Sequence, residues 1–257
     1  MDLATVLGLA LAGFSIIGGF AMEGGHLGAL VQGTAAIIVF GGTLAALMVT
    51  CPADQLKLAF TGMIECFKGH HVDYATAVQK IVDFAQKARR EGVVSLETDA
   101  EELTDPFFMK ALNMAVDGSE SRVIRDAMDI EMENLEHYGM LGSKAWEQAG
   151  AYAPTIGILG AVLGLIHVMG NISDPEKLGA GIAVAFVATV YGVGVANVVM
   201  FPFAGKLKER AHREMVLYEL IVCGVCAIVD GENPRLIEQK LKGFVPDHGD
   251  EKHDKDE

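Results

Sequence analysis

Four stretches of the sequence consist almost entirely of apolar and small residues, and polar segments group them into two pairs. The stretches cover residues 3–22, 27–49, 152–169 and 178–201, and none of them contains Asp, Glu, Lys or Arg. Each has about the 20 residues that a helix needs to cross roughly 30 Å of hydrocarbon. The pattern therefore predicts four membrane-spanning helices arranged as two hairpins.

The polar segments also show helical periodicity. In residues 74–91 the apolar side chains recur at helical spacing, and they are Ala75, Val78, Ile81, Val82 and Ala85. Asp105 followed by Pro106 is a helix start signal, while Gly92 and Gly118 suit helix ends. In "GENP", Gly231 ends one helix, and Asn233 with Pro234 starts the next.

Helical periodicity continues almost without interruption from Ser119 into the third span, and again from the fourth span into the segment after it. The apolar positions of the first of these long helices are Ile124, Met128, Ile130, Met132 and Leu135. The predicted fold class is an all-α membrane protein with four transmembrane helices. The third and fourth carry long cytoplasmic helical extensions beside a helical cytoplasmic domain.

These elements predict five segments along the chain. They are a transmembrane hairpin (1–50), a cytoplasmic helical domain (51–150), a second transmembrane hairpin (151–205), cytoplasmic C-terminal helices (206–245) and a disordered acidic tail (246–257).

Charge is strongly segregated along the chain. Of 20 Lys and Arg residues, none lies in residues 1–50 and only Lys177 lies in 151–205. Cytoplasmic loops of membrane proteins carry an excess of Lys and Arg, so both termini and the 51–150 segment are expected in the cytoplasm. The net charge of -14 disfavours a nucleic-acid partner.

Four cysteines are present, and Cys223 with Cys226 forms a CxxC motif. Structural disulfides are unexpected in or near the reducing cytoplasm. The motif has the spacing of zinc and thiol-redox sites, but no second pair accompanies it. Because it lies in an apolar stretch, we interpret both cysteines as packed side chains of a buried helix.

Small residues form stripes on the third and fourth spans. The stripe of span three contains Gly157, Gly160, Ala161 and Gly164, and that of span four contains Gly181, Ala185, Ala188, Gly192 and Ala196. Such faces allow helix backbones to approach closely, so both spans are expected to pack against other helices rather than lipid.

Pro154 and Pro202 lie at matching depth, each between a span and a long cytoplasmic helix. Since proline removes a helical hydrogen bond, the pair is interpreted as a hinge that couples membrane events to the cytoplasm. His167 is either an interfacial residue or a proton relay. An ion pathway normally needs an ionisable group at membrane depth, so an essential carboxylate is expected from a partner.

The sequence resembles the MotA/PomA family, the ion-channel subunits of the bacterial flagellar stator. The resemblance covers nearly the whole chain and includes "MDLATVLGLALAGF", "ARREGVVSLE" and "AVDGSES". It is strongest over the third and fourth spans, from "APTIGILGAVLGLIHVMG" to "FPFAGKL".

The resemblance implies a homopentamer of this chain around a dimer of a MotB-like, single-span, peptidoglycan-binding subunit in the bacterial inner membrane. The partner would supply the membrane aspartate, and ion flow would rotate the pentamer against a FliG-like rotor switch protein. The residues matching the family's rotor contact are Arg89 and Glu97, with Arg90 beside Arg89, and the family's functional prolines match Pro154 and Pro202. The residues expected on the ion pathway or facing the partner are Ala161, Gly164, Thr189, Tyr191 and Gly192.

The resemblance also bears on the transported ion. Sodium-type members have a threonine where this chain has Ala161, and an acidic residue where it has Gln32. Sodium needs several oxygen ligands, which alanine does not offer. We therefore expect protons, with neither a cofactor nor a metal and no enzymatic reaction.

Two alternatives belong to other classes of function. An ExbB/TolQ-like proton channel that energises outer-membrane transport would be a related five-fold assembly, but such proteins typically have three spans. A membrane-anchored thiol or zinc protein would use Cys223 and Cys226.

Overall fold

The structure is a computed structural model that describes residues 2–69, 72–170 and 175–245. The predicted acidic tail, 246–257, lies outside the described residues. Every regular element within the described ranges is helical. The α-helices are α1 (Leu3–Met22), α2 (Gly33–Ala36), α3 (Gly42–Thr50), α4 (Ala53–Cys66), α5 (Tyr74–Glu91), α6 (Glu97–Glu101), α7 (Pro106–Val116), α8 (Ser121–Met169), α9 (Pro175–Val195), α10 (Phe201–Val229) and α11 (Pro234–Lys242).

Among the described residues, four helical segments are long and apolar enough to cross a membrane, which confirms the four-span all-α prediction. They are Leu3–Met22, Leu27–Thr50, Ser121–Met169 and Gly181–Val229. The second is irregular: a 3-10 turn at Leu27–Leu30 precedes α2, and a π-helical turn at Ile37–Gly41 joins α2 to α3. A second π-helical turn, Ala196–Met200, joins α9 to α10.

The chain divides into two units, of which the first comprises Met1–His70 and Gly139–Arg210. Its helices approach closely because α8 presents the small buried side chains of Ala145, Ala149 and Ala153. The indole N–H of Trp146 donates to the carbonyl oxygen of Ala59 at 2.9 Å, and the Ser143 hydroxyl donates to that of Ala204 at 2.8 Å. The polar side chains in this packing therefore find partners.

The second unit comprises His71–Tyr138 and Ala211–Glu257 and has its own hydrophobic core. The largest fully buried side chains of this core are Ile81, Leu96, Leu112, Ile124, Met128, Leu220, Ile221, Ile237 and Leu241. On α5 the predicted face is confirmed at four positions, but Ala75 is exposed and Ala77 is buried instead. Ala75 lies in the first turn after the N-cap residue Asp73, before the helix meets the core.

The helix boundaries predicted in this unit are confirmed by their caps. The Asp105 carboxylate accepts from the backbone N–H groups of Phe107 and Phe108 at the start of α7. Gly92, Gly118 and Gly231 follow helix ends with φ of +87°, +80° and +70°. This left-handed conformation favours glycine because side chains are strained there.

The long helix α8 is confirmed as continuous from Ser121 to Met169. Of its five predicted apolar positions, Ile124 and Met128 are fully buried and Met132 is half-buried. Ile130 is exposed because it lies on the other face of the helix. Leu135 is also exposed, although it lies on the same face as Ile124.

Candidate functional sites

The small-residue stripes of the third and fourth spans pack against each other. A methyl group added to Gly192 would lie 2.5 Å from the carbonyl oxygen of Ala153, and one added to Gly157 would lie 2.8 Å from that of Ala188. One added to Gly164 would lie 3.0 Å from the Gly181 carbonyl oxygen. Only glycine permits this backbone approach, so the predicted helix–helix packing occurs within the hairpin itself.

Two of the residues expected on the ion pathway or facing the partner lie in this packing. Gly164 and Gly192 are buried where the third and fourth spans meet, and their pathway or partner role stays a prediction. Ala161 is half-buried on α8, and Thr189 is half-buried on α9, where its hydroxyl donates to the Ala185 carbonyl at 3.2 Å. A pathway role for Ala161 and Thr189 stays a prediction.

Tyr191 lies between the fourth and second spans. Its ring stacks on Phe40 with centroids 5.8 Å apart, and its hydroxyl donates to the carbonyl oxygen of Leu30. The same hydroxyl accepts from the backbone N–H of Gln32 at 3.2 Å. Tyr191, which is expected on the ion pathway, and Gln32, which is expected to bear on the choice of ion, are thus in direct contact.

The two prolines occupy different helical contexts. Pro154 lies inside α8, which continues through it, and is half-buried. Pro202 is exposed and is the second residue of α10, directly after the π-helical turn Ala196–Met200. Proline has no N–H, so it leaves the carbonyl four residues earlier without its usual donor, and an adjacent π turn is a common way to absorb such a defect. The hinge role of this pair stays a prediction.

A groove of about 340 Å³ lies beside Pro202, between α1 and the junction of α9 with α10. Asn197 and Lys206 contribute polar groups to its lining. The Lys206 ammonium is paired with the Asp2 carboxylate and donates to the Thr5 hydroxyl. Asp2 also caps α1 by accepting from the N–H of Ala4 at 3.0 Å. These contacts fix the start of the first span to α10.

The residues matched to the rotor contact lie around the turn between α5 and α6. Arg89 and Arg90 occupy the last turn of α5, Glu97 begins α6, and all three are exposed. Lys87 and Asp99 close this turn with an ion pair of 2.6 Å. The hydrogen bond to Asp99 raises the pKa of Lys87 above its usual value. The turn therefore presents two positive charges and one negative charge on a structurally fixed surface.

The CxxC motif is part of the core of the second unit. Cys226 is buried and its thiol donates to the Ser121 carbonyl at 3.4 Å, while Cys223 is half-buried. Burial raises the pKa of both thiols, which keeps them protonated at neutral pH. Within residues 2–69, 72–170 and 175–245, no three His, Cys, Asp or Glu side chains are grouped to hold a metal ion. Packing accounts for this motif.

Sequence reasoning missed the Asp2–Lys206 pair and both π-helical turns. Asp2 lies just before the first apolar run, and an aspartate at that position is a recognisable N-cap signal for the first span. Its partner lies 204 residues away in the sequence, and spacing carries no information on such a contact.

Protein-family models and relatives of known name match nearly the whole length of the chain. The family model described as "Motility protein A N-terminal" matches residues 6–92, and "MotA/TolQ/ExbB proton channel family" matches residues 99–220. Motility protein A of Bacillus subtilis is 36% identical over 247 residues, which cover 96% of this chain and 92% of that protein. The chain belongs to the MotA family. The resemblance given above is thereby confirmed.

Other relatives are similarly related to this MotA-family chain. Motility protein A of Helicobacter pylori is 33% identical over 245 residues, covering 95% of both chains. Chemotaxis protein PomA of Vibrio alginolyticus is 34% identical over 247 residues, covering 95% of this chain and 96% of that protein. The match to the motility protein A N-terminal model favours MotA over the ExbB/TolQ-like alternative.

Solved structures agree with the MotA-family fold along the full length. "Structure of C. jejuni MotAB" has a TM-score of 0.91 at 32% identity and covers 97% of this chain and 98% of that chain. "Structure of the flagellar MotAB stator complex from Bacillus subtilis" has a TM-score of 0.86 at 36% identity, with 94% and 96% covered. The four-span architecture is thus that of a MotA-family chain.

Proposed function

We propose that this chain is the stator subunit of a bacterial flagellar motor, which conducts ions across the inner membrane and converts their flow into torque on the rotor. The observation that carries the proposal is the end-to-end similarity to solved MotAB structures, which covers 97% of this chain and 98% of one such chain. The role is one of transport and mechanical work, without an enzymatic reaction.

A MotB-like partner follows from what the spans lack. None of the four predicted spans contains Asp, Glu, Lys or Arg, whereas ion pathways normally need an ionisable group at membrane depth. A dimer of a single-span, peptidoglycan-anchored subunit supplies that carboxylate at the centre of a pentamer of this chain. The residues that we assign to the ion pathway or to the partner contact are Ala161, Gly164, Thr189, Tyr191 and Gly192.

The proposed orientation follows from charge. Both termini and the long polar segment lie in the cytoplasm, because the hairpin regions are almost free of Lys and Arg. The spans of this multi-pass inner-membrane protein contact lipid through exposed apolar side chains such as Leu7, Leu11 and Phe14 of α1.

Protons are the proposed transported ion. Ala161 and Gln32 occupy the two positions at which the sodium-type pattern has an oxygen-bearing or acidic side chain. Alanine offers no ligand to a hard cation, while Gln32 brings no charge. No cofactor or metal is needed for this role.

The ion is tested by swimming of a deletion strain complemented by this chain with its cognate MotB-like partner. We expect swimming to continue in sodium-free medium and to stop when a protonophore collapses the proton gradient. The matched comparison is Ala161→Thr, which restores the hydroxyl of the sodium pattern. Swimming that requires sodium and survives the protonophore would refute proton coupling, and a chain that never restores motility would refute the stator role.

A further inference from the structure

The second span begins with backbone that is not helical. Val31 has φ and ψ of -96° and 93°, and Gln32 has -123° and 104°, between the 3-10 turn Leu27–Leu30 and α2. Both conformations are extended, so this backbone lacks the regular hydrogen bonds of a helix. Within a membrane, such polar groups need partners supplied by the protein, because lipid offers none.

A single side chain from the fourth span meets this need. The Tyr191 hydroxyl donates to the carbonyl oxygen of Leu30 and accepts from the N–H of Gln32 at 3.2 Å. One hydroxyl can serve one acceptor and one donor at once, and here both belong to the same short break. The contact joins positions that are about 160 residues apart in the sequence.

The ring of Tyr191 extends the same attachment further along the second span. It stacks on Phe40, with an interplanar angle of 29°, in the π-helical turn Ile37–Gly41. It also packs on the small cluster formed by Ala35, Val39, Val187 and Ala188. Between these two contacts, α2 continues into the π-helical turn without a change of backbone conformation, since Ile37 has helical φ and ψ of -62° and -43°. Tyr191 therefore touches the second span both at its extended break and in the helix that follows the break.

We propose that Tyr191 is a positioning residue, which fixes the unwound entry of the second span to the fourth span so that both move as one body during ion transit. The inference rests on the proposed stator function and adds to it a mechanical role that differs from ion transfer. The hydroxyl acts through the backbone of Leu30 and Gln32, and the ring acts through Phe40.

Tyr191→Phe isolates the hydroxyl, since it keeps the ring stacked on Phe40. It leaves the carbonyl of Leu30 and the N–H of Gln32 without their partner. We expect this loss to raise, about fivefold or more, the population of molecules in which the backbone at Leu30–Gln32 is detached from the fourth span. The matched control is Tyr152→Phe in the same unit. The Tyr152 hydroxyl pairs at 3.1 Å with the side chain of Thr50, so its loss leaves no backbone group of the break unpaired.

The experiment uses this chain with its MotB-like partner in proteoliposomes and measures two quantities. The first is proton flux per reconstituted complex, and the second is hydrogen exchange of the peptide covering residues 27–36. We expect Tyr191→Phe to lower the flux per complex severalfold and to speed exchange in that peptide, while Tyr152→Phe leaves both at the wild-type level.

A purely structural role would reduce the yield or the melting temperature but leave the flux per complex unchanged, and that result would overturn the inference. Unchanged exchange at residues 27–36 would also overturn it. If the wild-type complex carries no flux, the proposed function fails instead, and the exchange comparison alone then decides whether Tyr191 holds the break.

Discussion

At the scale of single residues, the helix packing of the first unit depends on glycines at positions where even a methyl group does not fit. Around Gly192 and Gly157 the backbones of α8 and α9 approach so closely that carbonyl oxygens occupy the space of a side chain. Carbonyl oxygens belong to the helix backbone and cannot rotate away as a flexible side chain can. The two helices must therefore separate if either glycine gains a side chain.

Gly192→Ala is expected to destabilise the protein by about 1–3 kcal/mol, the usual cost of overpacking. The matched control is Gly194→Ala, because a methyl group there meets nothing within 4 Å. Alanine in a helix interior is better than glycine by about 0.5–1 kcal/mol, so the control should be neutral or slightly stabilising. Thermal unfolding in detergent compares the two, and equal melting temperatures would contradict the packing described here.

The thiols of Cys223 and Cys226 illustrate how burial determines reactivity. Burial is the largest cause that raises their pKa above the ordinary value of 9.0. The thiolate is the reactive form, so the folded protein at pH 7.5 should be alkylated slowly at both positions. The rate should rise as the pH increases beyond 9.0, since the folded state holds the protons more tightly than the unfolded chain does.

Mass spectrometry after timed iodoacetamide treatment measures this rate. Thr98→Cys places a thiol at an exposed position of the same unit and serves as the fast-reacting control. Replacing both Cys223 and Cys226 by serine should leave motility intact. Rapid labelling at pH 7.5, or motility lost in the serine variant at normal protein levels, would revive a thiol-based function.

At the scale of elements, the junction between α9 and α10 differs from the rest of the span. It combines the π-helical turn Ala196–Met200 with Pro202 and with the groove beside α1. An ordinary α-helix has no such local defect, and π turns are frequent at functional sites. The groove leaves space on one side of the junction, so a bend there need not displace packed side chains.

Pro202→Ala restores an N–H at this junction and should favour a regular helix over the π turn. We expect normal amounts of protein in the membrane but swimming reduced severalfold, since regular helical hydrogen bonding resists bending. Pro52→Ala is the control, because Pro52 is exposed at the N-cap of α4 and interrupts no helix. Immunoblotting of membranes and swimming speed measure the two effects, and normal swimming would contradict the hinge.

Elements with local signals could be predicted from the sequence. Spans without charges, the Asp105–Pro106 start and glycines at helix ends are properties of neighbouring residues, and the structure confirms them. The break at Val31 and Gln32 could not be predicted, because it is held by Tyr191, far away in the chain. The π turns have no local signature beyond a proline downstream of one of them.

At the scale of the whole molecule, the chain separates an apolar part from a charged part. The second unit presents Arg89, Arg90 and Glu97 on the turn between α5 and α6, where the Lys87–Asp99 ion pair fixes the backbone. Sequence spacing predicted helix α5 but gave these residues no particular role, since an exposed charge on a helix is ordinary. Only the resemblance to the MotA family singled them out.

Charge reversal tests whether this turn contacts the rotor. Arg89→Glu and Glu97→Lys should each reduce torque severalfold while the complex still assembles, because both side chains are exposed and away from the core. Lys80→Glu on the exposed face of the same helix is the matched control. Torque from tethered-cell rotation and stator counts from fluorescent fusions measure the two quantities, and lost assembly would contradict a rotor-contact role.

In the membrane part, the small-residue stripes also show how far the sequence alone can predict contacts. Their composition correctly indicated helix contact, but composition does not specify which helix is contacted. The structure answers that Gly157 and Gly164 meet the fourth span of the same chain. The stripes therefore serve helix contact within the hairpin, and the partner-facing role of Ala161 stays a prediction.

The π-helical turn at Ala196–Met200 also affects the direction in which the side chains after it point around the helix axis. Buried residues of the fourth span recur at Gly181, Ala185, Ala188, Gly192, Ala196 and Met200, in steps of four apart from the three-residue step between Ala185 and Ala188. They then continue at Phe203, Ala204 and Leu207. An α-helix turns about 100° per residue, so each step of four advances the stripe by about 40° around the axis. The wider π turn takes up part of this drift and returns Phe203 and Leu207 to the face that meets Cys66. The turn thus keeps the buried side chains before and after it on one face of the helix. A deletion of one residue within it would rotate the side chains that follow, such as Phe203 and Leu207, by about 100° around the helix axis.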